Sequence, residues 1–305
     1  MGMTMIRAKR LRHVRLATPD LERQIEYFQQ IIGLVVVARE PKRAFLVTEA
    51  GQLSLILEMG QEARLDALGL DVAPGLDLPD LQRMLAKEGV AAELVTDAAP
   101  GVASALRIID LEGRQLELLS NSVFHENRES LPGIAPSKLG HIACYTADPE
   151  AISQYYHKLF GFRVSDWIED RFVFMRCGYE HHTINFARGP EFRMHHLAFE
   201  LRDAAHMHRA CDILGAKRIP ILWGPVRHGP GHNVAIYHRD PDGHVIEMFY
   251  DLDRMIDEDL GFFDPRPWHR DRPQKPKIWV GLPRDVWGST PSPELPEFYR
   301  MRPPA

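Results

Sequence analysis

The sequence predicts an α+β fold built from four βαβββ modules in two pairs, followed by an extended C-terminal tail. Three observations carry that reading. RHVRLATPDLERQIEYFQQIIGL (12–34) and GHIACYTADPEAISQYYHKLFGF (140–162) align without a gap, so the chain repeats itself. Helical periodicity recurs four times, each time between strand-like runs. Gly-bearing turns, DLEG and DPDG, split strand pairs at corresponding places, RIIDLEGRQLELL (107–119) and IYHRDPDGHVIEMF (236–249).

In the first repeat, Leu21, Ile25, Phe28 and Ile32 recur at helical spacing and Gly33 supplies the stop. In the second, Ile152, Tyr156 and Leu159 do the same before Gly161, and each repeat has a Pro near its first helical turn. DLPDLQRMLAKEGV (77–90) and DAAHMHRACDILGA (203–216) are two more helices of similar size. The modules give an N-terminal domain of residues 5–124 and a C-terminal domain of 137–250, joined by the polar HENRESLPGIAP. The tail, 251–305, holds ten of the 23 prolines, a composition of disorder, but also Trp268, Trp279 and Trp287. The tryptophans argue that it packs along the body, as a possible lid.

Hydrophobic residues make up 45% and charged residues 26% of the 305, the balance of an ordinary soluble protein. A net charge of −5 supplies no basic footprint for nucleic acid, and no apolar run approaches the ~20 residues of a membrane span. The start MGMTMIRAKR lacks the apolar core of a signal peptide, and three scattered cysteines without a CxxC suit a reducing cytoplasm. Small molecules are therefore the expected partners, not nucleic acid or membrane. Most of the 15 histidines fall between 141 and 244, which turns attention to the second half.

EFRMHHLAFEL (191–201) opens a strand with two adjacent histidines, and side chains alternate faces along a strand. His195 is expected on the packing face with Leu197, Phe199 and Leu201, and His196 on the other with Met194, Ala198 and Glu200. Superposing the repeats matches His13 with His141 and Glu117 with Glu247. It also lays RLDALGLDV (64–72) over this strand, so that Ala67 meets His196. Both halves keep one histidine and one glutamate, but only the second has the middle histidine. A lone strand histidine is more often a hydrogen-bonded core residue; matched positions in two repeats outweigh that. Two His and one carboxylate from separate strands form the facial set that leaves open positions on non-haem Fe(II). His141, His196 and Glu247 are thus the candidate metal ligands, and the N-terminal copy is a lost site.

Around these ligands stand EHHTINF (180–186) and GPVRHGPGHNVAIYHRDPDGH (224–244). The diagnostic positions are Gly140-His141, His182 to Phe186, His195-His196, Arg227-His228-Gly229, and Tyr237 ten residues before Glu247. With these the chain resembles the type I extradiol ring-cleavage dioxygenases of the vicinal-oxygen-chelate superfamily over essentially its whole length. The resemblance implies that each pair of modules forms a curved mixed sheet, an open barrel. It implies Fe(II), less often Mn(II), on His141, His196 and Glu247, and a homo-oligomer. It implies a catechol and O2 as substrates, with His182, His228 and Tyr237 as the catalytic groups around the ion. Tyr237 and His228 would bond the catechol oxygens and take up a proton, while His182 would stand beside the bound oxygen. The expected product is a muconic semialdehyde-type acid carrying both atoms of O2, formed in aromatic catabolism.

The tail segment PRDVWGSTP (283–291) is similar to one that covers the site in family members acting on carboxylated catechols, with Arg284 as the matching carboxylate binder. Relatives that bind an acidic side chain place a second arginine where this chain has Trp223. An aromatic wall favours an alkyl, aryl or absent substituent. His232, in the loop of His228, is a further candidate for binding the substrate hydroxyls. Two alternatives stay open: a metal-dependent isomerase or keto-acid dioxygenase on the same fold, and a non-catalytic resistance protein that only binds a small molecule.

Overall fold

The four α-helices among the described residues start on the same device. Asp20, Asp77, Asp148 and Asp203 stand at the N-caps, and each side chain accepts from first-turn N–H groups that have no partner within the helix. The helices are α1 (Leu21–Tyr27), α2 (Leu78–Lys87), α3 (Pro149–Phe160) and α4 (Ala204–Ala216). One expectation is corrected. The first helix does not run regularly to Ile32 but widens into a π-helical turn over Phe28–Ile32, which keeps Phe28, Ile31 and Ile32 all buried before left-handed Gly33 ends it. The computed structural model describes residues 6–126, 132–281 and 286–287.

The strands form two mixed sheets, each curled as an open barrel. The first contains β1 (Ala8–Thr18), β2 (Val35–Glu40), β3 (Arg43–Val47), β4 (Leu53–Met59), β5 (Arg64–Val72), β6 (Ala92–Ala99), β7 (Val102–Ile109) and β8 (Gln115–Leu119). Its order is β2-β3-β4-β1-β5-β8-β7-β6. The second contains β9 (Lys138–Thr146), β10 (Arg163–Ile168), β11 (Phe172–Arg176), β12 (Ile184–Arg188), β13 (Met194–Glu200), β14 (Trp223–Arg227), β15 (Val234–Arg239), β16 (Val245–Tyr250) and β17 (Lys277–Trp279). Its order is β14-β15-β16-β13-β9-β12-β11-β10-β17.

In both sheets the two modules join through their first strands, which run antiparallel, β1 with β5 and β9 with β13. Each first strand also pairs in parallel with the last strand of its own module. Residues on β9, β13 and β16, distant in sequence, thereby become neighbours at the middle of the second sheet. That arrangement positions the site.

One apolar core runs through both halves, from Val14, Phe28 and Leu68 to Tyr156, Phe186 and Leu197. Polar contacts bind the halves reciprocally. Tyr27 of α1 hydrogen bonds His238 Nε2 at 2.6 Å, and Gln24 donates to Asp240 Oδ2 at 3.2 Å, at the β15–β16 turn. In return Tyr156 of α3 donates to Asp110 Oδ2 at 3.1 Å, at the β7–β8 turn. Arg114 completes that contact, 3.0 Å from Asp110 and stacked over Phe192, with only 2% of its surface exposed.

The described part of the tail, 251–281, lies against the body. Leu252, Met255 and Phe263 are buried, Arg227 lies 4.1 Å over the Trp268 ring, and β17 extends the sheet parallel to β10. Trp287, by contrast, is 56% exposed. Among the described residues no helix is long and apolar enough to cross a membrane.

Removing one partner of a buried ion pair strands the other, at a cost of about 3–5 kcal/mol. Arg114→Ala should lower the urea midpoint by that equivalent, and a loss no larger than that of a surface arginine would show that the α3 contact does not hold the halves together.

Candidate metal centre

The register of the second sheet brings the three candidate ligands together. His141 on β9 stands opposite Ala198 on β13, and Ala198 stands beside Glu247 on β16. The small Ala198 side chain leaves room between them, and His196, two residues earlier, completes the set. His141 Nε2 lies 3.1 Å from Glu247 Oε2 and 3.3 Å from His196 Nε2, while His196 Nε2 lies 3.0 Å from Glu247 Oε2. All three are buried. Neighbouring donors on an octahedral ion with bonds of about 2.1 Å are about 3 Å apart, so three mutually adjacent donors at these distances make one face of such an ion.

The far sides of the ligands are held as well. Glu247 Oε1 accepts from Asn233 Nδ2 at 2.9 Å, and His196 Nδ1 shares a hydrogen with His195 Nδ1 at 2.7 Å. A hydrogen on Nδ1 of His196 leaves its Nε2 lone pair aimed at the metal position. Burial pushes the Glu247 carboxyl up, but His141 and His196 outweigh it and hold the group well below the ordinary carboxylate range. Burial is the main cause that lowers His141. A carboxylate anion and two neutral imidazoles are the donor states a divalent cation requires. The nitrogen and oxygen donors fit iron or manganese.

The other expected residues gather nearby. Buried His182 lies in the turn before β12, not within a strand, with its ring 4.3 Å from that of His141. His228 Nε2 lies 2.7 Å from the hydroxyl of Tyr237, whose ring is 5.7 Å from that of His196. Trp223 stacks on Tyr237 at 5.3 Å and stands 5.1 Å from His228. Burial foremost, then the Glu247 charge, pushes the Tyr237 phenol well up; burial, then His141 and His181, pushes His182 well down. Both are neutral near neutral pH.

Three readings need revision or lie elsewhere. His195 is not on the packing face: β13 shifts register between Met194 and His196, so His195 turns towards His196 and lies against Tyr145. Burial and His196 lower it to about 3. His232 is brought into a different buried cluster, with Nδ1 2.7 Å from Asp253 Oδ2 and its ring beside His269. Arg284 lies outside the described residues. Sequence reasoning also missed Asn233, whose bond to Glu247 appears only once the strands are paired.

The first sheet carries the matching half-site. His13 Nε2 lies 3.0 Å from Glu117 Oε2, and Ala67 occupies the place of His196. Gly69 stands opposite His13, where an added Cβ would come within 2.3 Å of the imidazole. Two arginines fill the rest. Arg107, opposite Glu117 as Tyr237 is opposite Glu247, approaches to 3.1 Å, and Arg15, at the place of Ala143, to 3.4 Å. Burial pushes Glu117 up, but His13 and the two guanidinium groups bring it down to about 2.

Residues 138–248 match the Glyoxalase/Bleomycin resistance protein/Dioxygenase superfamily. A manganese-dependent 2,3-dihydroxybiphenyl 1,2-dioxygenase of Geobacillus genomosp. 3 is 27% identical over 298 residues, 88% of this chain and 92% of that one. The Mn(II)-bound glyoxalase from Novosphingobium aromaticivorans superposes with a TM-score of 0.81 at 26% identity, over 93% of this chain and 92% of that one. An extradiol ring-cleaving dioxygenase from B. fuscum superposes at 0.80 and 26%, over 94% of this chain and 81% of that one. In fold and donor set the chain is thus similar to these proteins, and its residues 138–248 carry the match to that superfamily.

The half-site makes a stability prediction. A carboxylate whose folded value, about 2, lies below its ordinary 4.5 adds stability that is present above pH 4.5 and is lost as pH falls towards 2. Glu117→Gln should therefore lose stability near neutrality and converge with the parent in acid, without changing metal content per chain. Loss of metal in that variant would contradict the half-site reading.

Proposed function

We propose that this protein cleaves catechols by the extradiol route, opening the ring beside its two hydroxyls and placing both atoms of O2 in a semialdehyde-type product. The observation that carries the reading is a facial His141–His196–Glu247 set flanked by a phenol–imidazole pair, Tyr237 and His228, 2.7 Å apart. An isomerase or a binding protein on this fold has no evident use for that pair. The similar dioxygenase that acts on 2,3-dihydroxybiphenyl supports the same substrate class.

A divalent iron or manganese ion held by His141, His196 and Glu247 would acidify a coordinated catechol hydroxyl and connect catechol and O2 electronically. The protein's own groups then handle protons and orientation. The phenol oxygen of Tyr237 can accept from a catechol hydroxyl while its own hydrogen passes to His228 Nε2. The raised phenol suits this, because Tyr237 keeps its proton until a substrate proton replaces it. His182, on the His141 side, can take a proton at its free ring nitrogen and return it to the ring-opened product. Trp223 fixes the plane of the Tyr237 ring and presents an aromatic wall to the ring substituent, so a catechol with an alkyl, aryl or no substituent is the proposed substrate.

Protein reloaded with ferrous iron or manganese should turn catechols yellow and consume one O2 per ring opened, read with an oxygen electrode. His196→Ala should lose the metal. Tyr237→Phe and His182→Asn should keep it while kcat falls about 10²- to 10⁴-fold, the span of proton-transfer catalysis. Full activity in Tyr237→Phe would favour an isomerase instead. Trp223→Arg should shift kcat/KM towards carboxylated catechols by about tenfold or more, since a charge-assisted bond replaces an apolar wall. An unchanged substrate ratio would remove Trp223 from the substrate site.

A further inference from the structure

We infer that Asp166 and His181 are positioning residues for His182, acting through a buried hydrogen-bond chain that starts on tail strand β17. The inference rests on the reading of His182 given above. It assigns work to His181, a histidine outside the three candidate catalytic groups.

The chain has four links. Lys277 N–H donates to Asp166 Oδ1 at 2.8 Å, and Trp279 Nε1–H donates to Asp166 Oδ2 at 2.7 Å. His181 Nε2 lies 3.1 Å from the same Oδ2, and His181 Nδ1 lies 3.0 Å from His182 Nδ1. Asp166, His181 and His182 are 1%, 0% and 3% exposed, so none of these bonds competes with bulk water.

Donor and acceptor chemistry fixes the direction of every hydrogen along it. The tryptophan and backbone N–H groups can only donate, so both Asp166 oxygens are acceptors. His181 must then carry its hydrogen on Nε2, which leaves a lone pair on Nδ1. The hydrogen between the two imidazoles therefore belongs to Nδ1 of His182. That leaves Nε2 of His182, across the ring, as a lone pair ready to take a proton. A carboxylate that holds the tautomer of a proton-transferring imidazole is the logic of a catalytic triad, here extended by one more ring.

The surroundings hold the relay in place. His181 lies against the Phe263 ring at 4.9 Å, and Phe263 comes from the tail. Gly231, in the loop that carries His228, passes so close that an added Cβ would sit 3.1 Å from His181 Nδ1. The tail thus acts on the site from behind, by orienting His182.

The test is a double-mutant cycle on the metal-loaded enzyme. Asp166→Asn should lower kcat about 10- to 100-fold with KM and metal content unchanged, the usual cost of losing a residue that orients an active group. In a His182→Asn background the same change should cost less than about twofold further, because the relay then has nothing to position. Losses that multiply would overturn the proposal. His181→Phe, which keeps a ring on Phe263, runs the same cycle if Asp166→Asn does not fold. A second readout is independent of activity: nitrogen NMR of histidine-labelled, zinc-loaded protein should report the Nδ1–H tautomer for His182. The Nε2–H tautomer there would overturn the relay outright. A parent enzyme that cleaves no catechol would instead sink the proposed function, and the NMR tautomer would then decide the relay alone.

Discussion

Glu247 is the constraint around which the second half is organised. A carboxylate with 1% of its surface exposed cannot stay ionised without a compensating charge close by. Glu247 accepts from Asn233 and stands 3.1 Å from His141 and 3.0 Å from His196, groups that orient the carboxylate around one position. A divalent cation resolves that imbalance. In the first half, Glu117 faces the same difficulty with one histidine fewer, and Arg15 and Arg107 supply the charge covalently. One sheet framework thus carries two solutions to one electrostatic problem. Only the solution with an exchangeable ion leaves positions for reactants.

The groups around the ligands divide by side. Tyr237, His228 and Trp223 gather towards His196, on strands β14 and β15 and the loop between them. His182 and its supports lie towards His141, reaching through Asp166 to the tail. Both groups depend on the second sheet being closed at its edges, one by the β14–β15 hairpin and the other by β17. The reciprocal docking of α1 and α3 onto the turns of the opposite half ties that sheet to the first. Mutational effects far from the ligands are therefore to be expected along those contacts.

The candidate ligands were legible because they are marked twice, once by chemistry and once by the internal repeat. The register bears out the superposition: Ala67 lies opposite Arg15 as His196 lies opposite Ala143. His195 was misplaced because strict alternation assumes an unbroken ladder, and a bulge at Met194 turns that side chain aside. Arg15 and Arg107 gave no signal, since surface and buried arginines look alike until a carboxylate is found beside them. Asp166 was invisible for the same reason, its partners His181 and Trp279 lying 15 and 113 residues away.

What the sequence determines alone is whatever repeats at short range or recurs in register: the helices with their Asp caps, the Gly-bearing hairpins, the fourfold modular plan, and two histidines and a glutamate at matched positions. Local periodicity and duplicated spacing need no knowledge of long-range contacts. Only the tertiary structure decided which faces those residues present, which charges meet Glu117, and how the tail reaches His182. Each of these depends on a pairing across sheets or from a distant strand, where the free energy lies in burial and in hydrogen-bond direction rather than in local propensity.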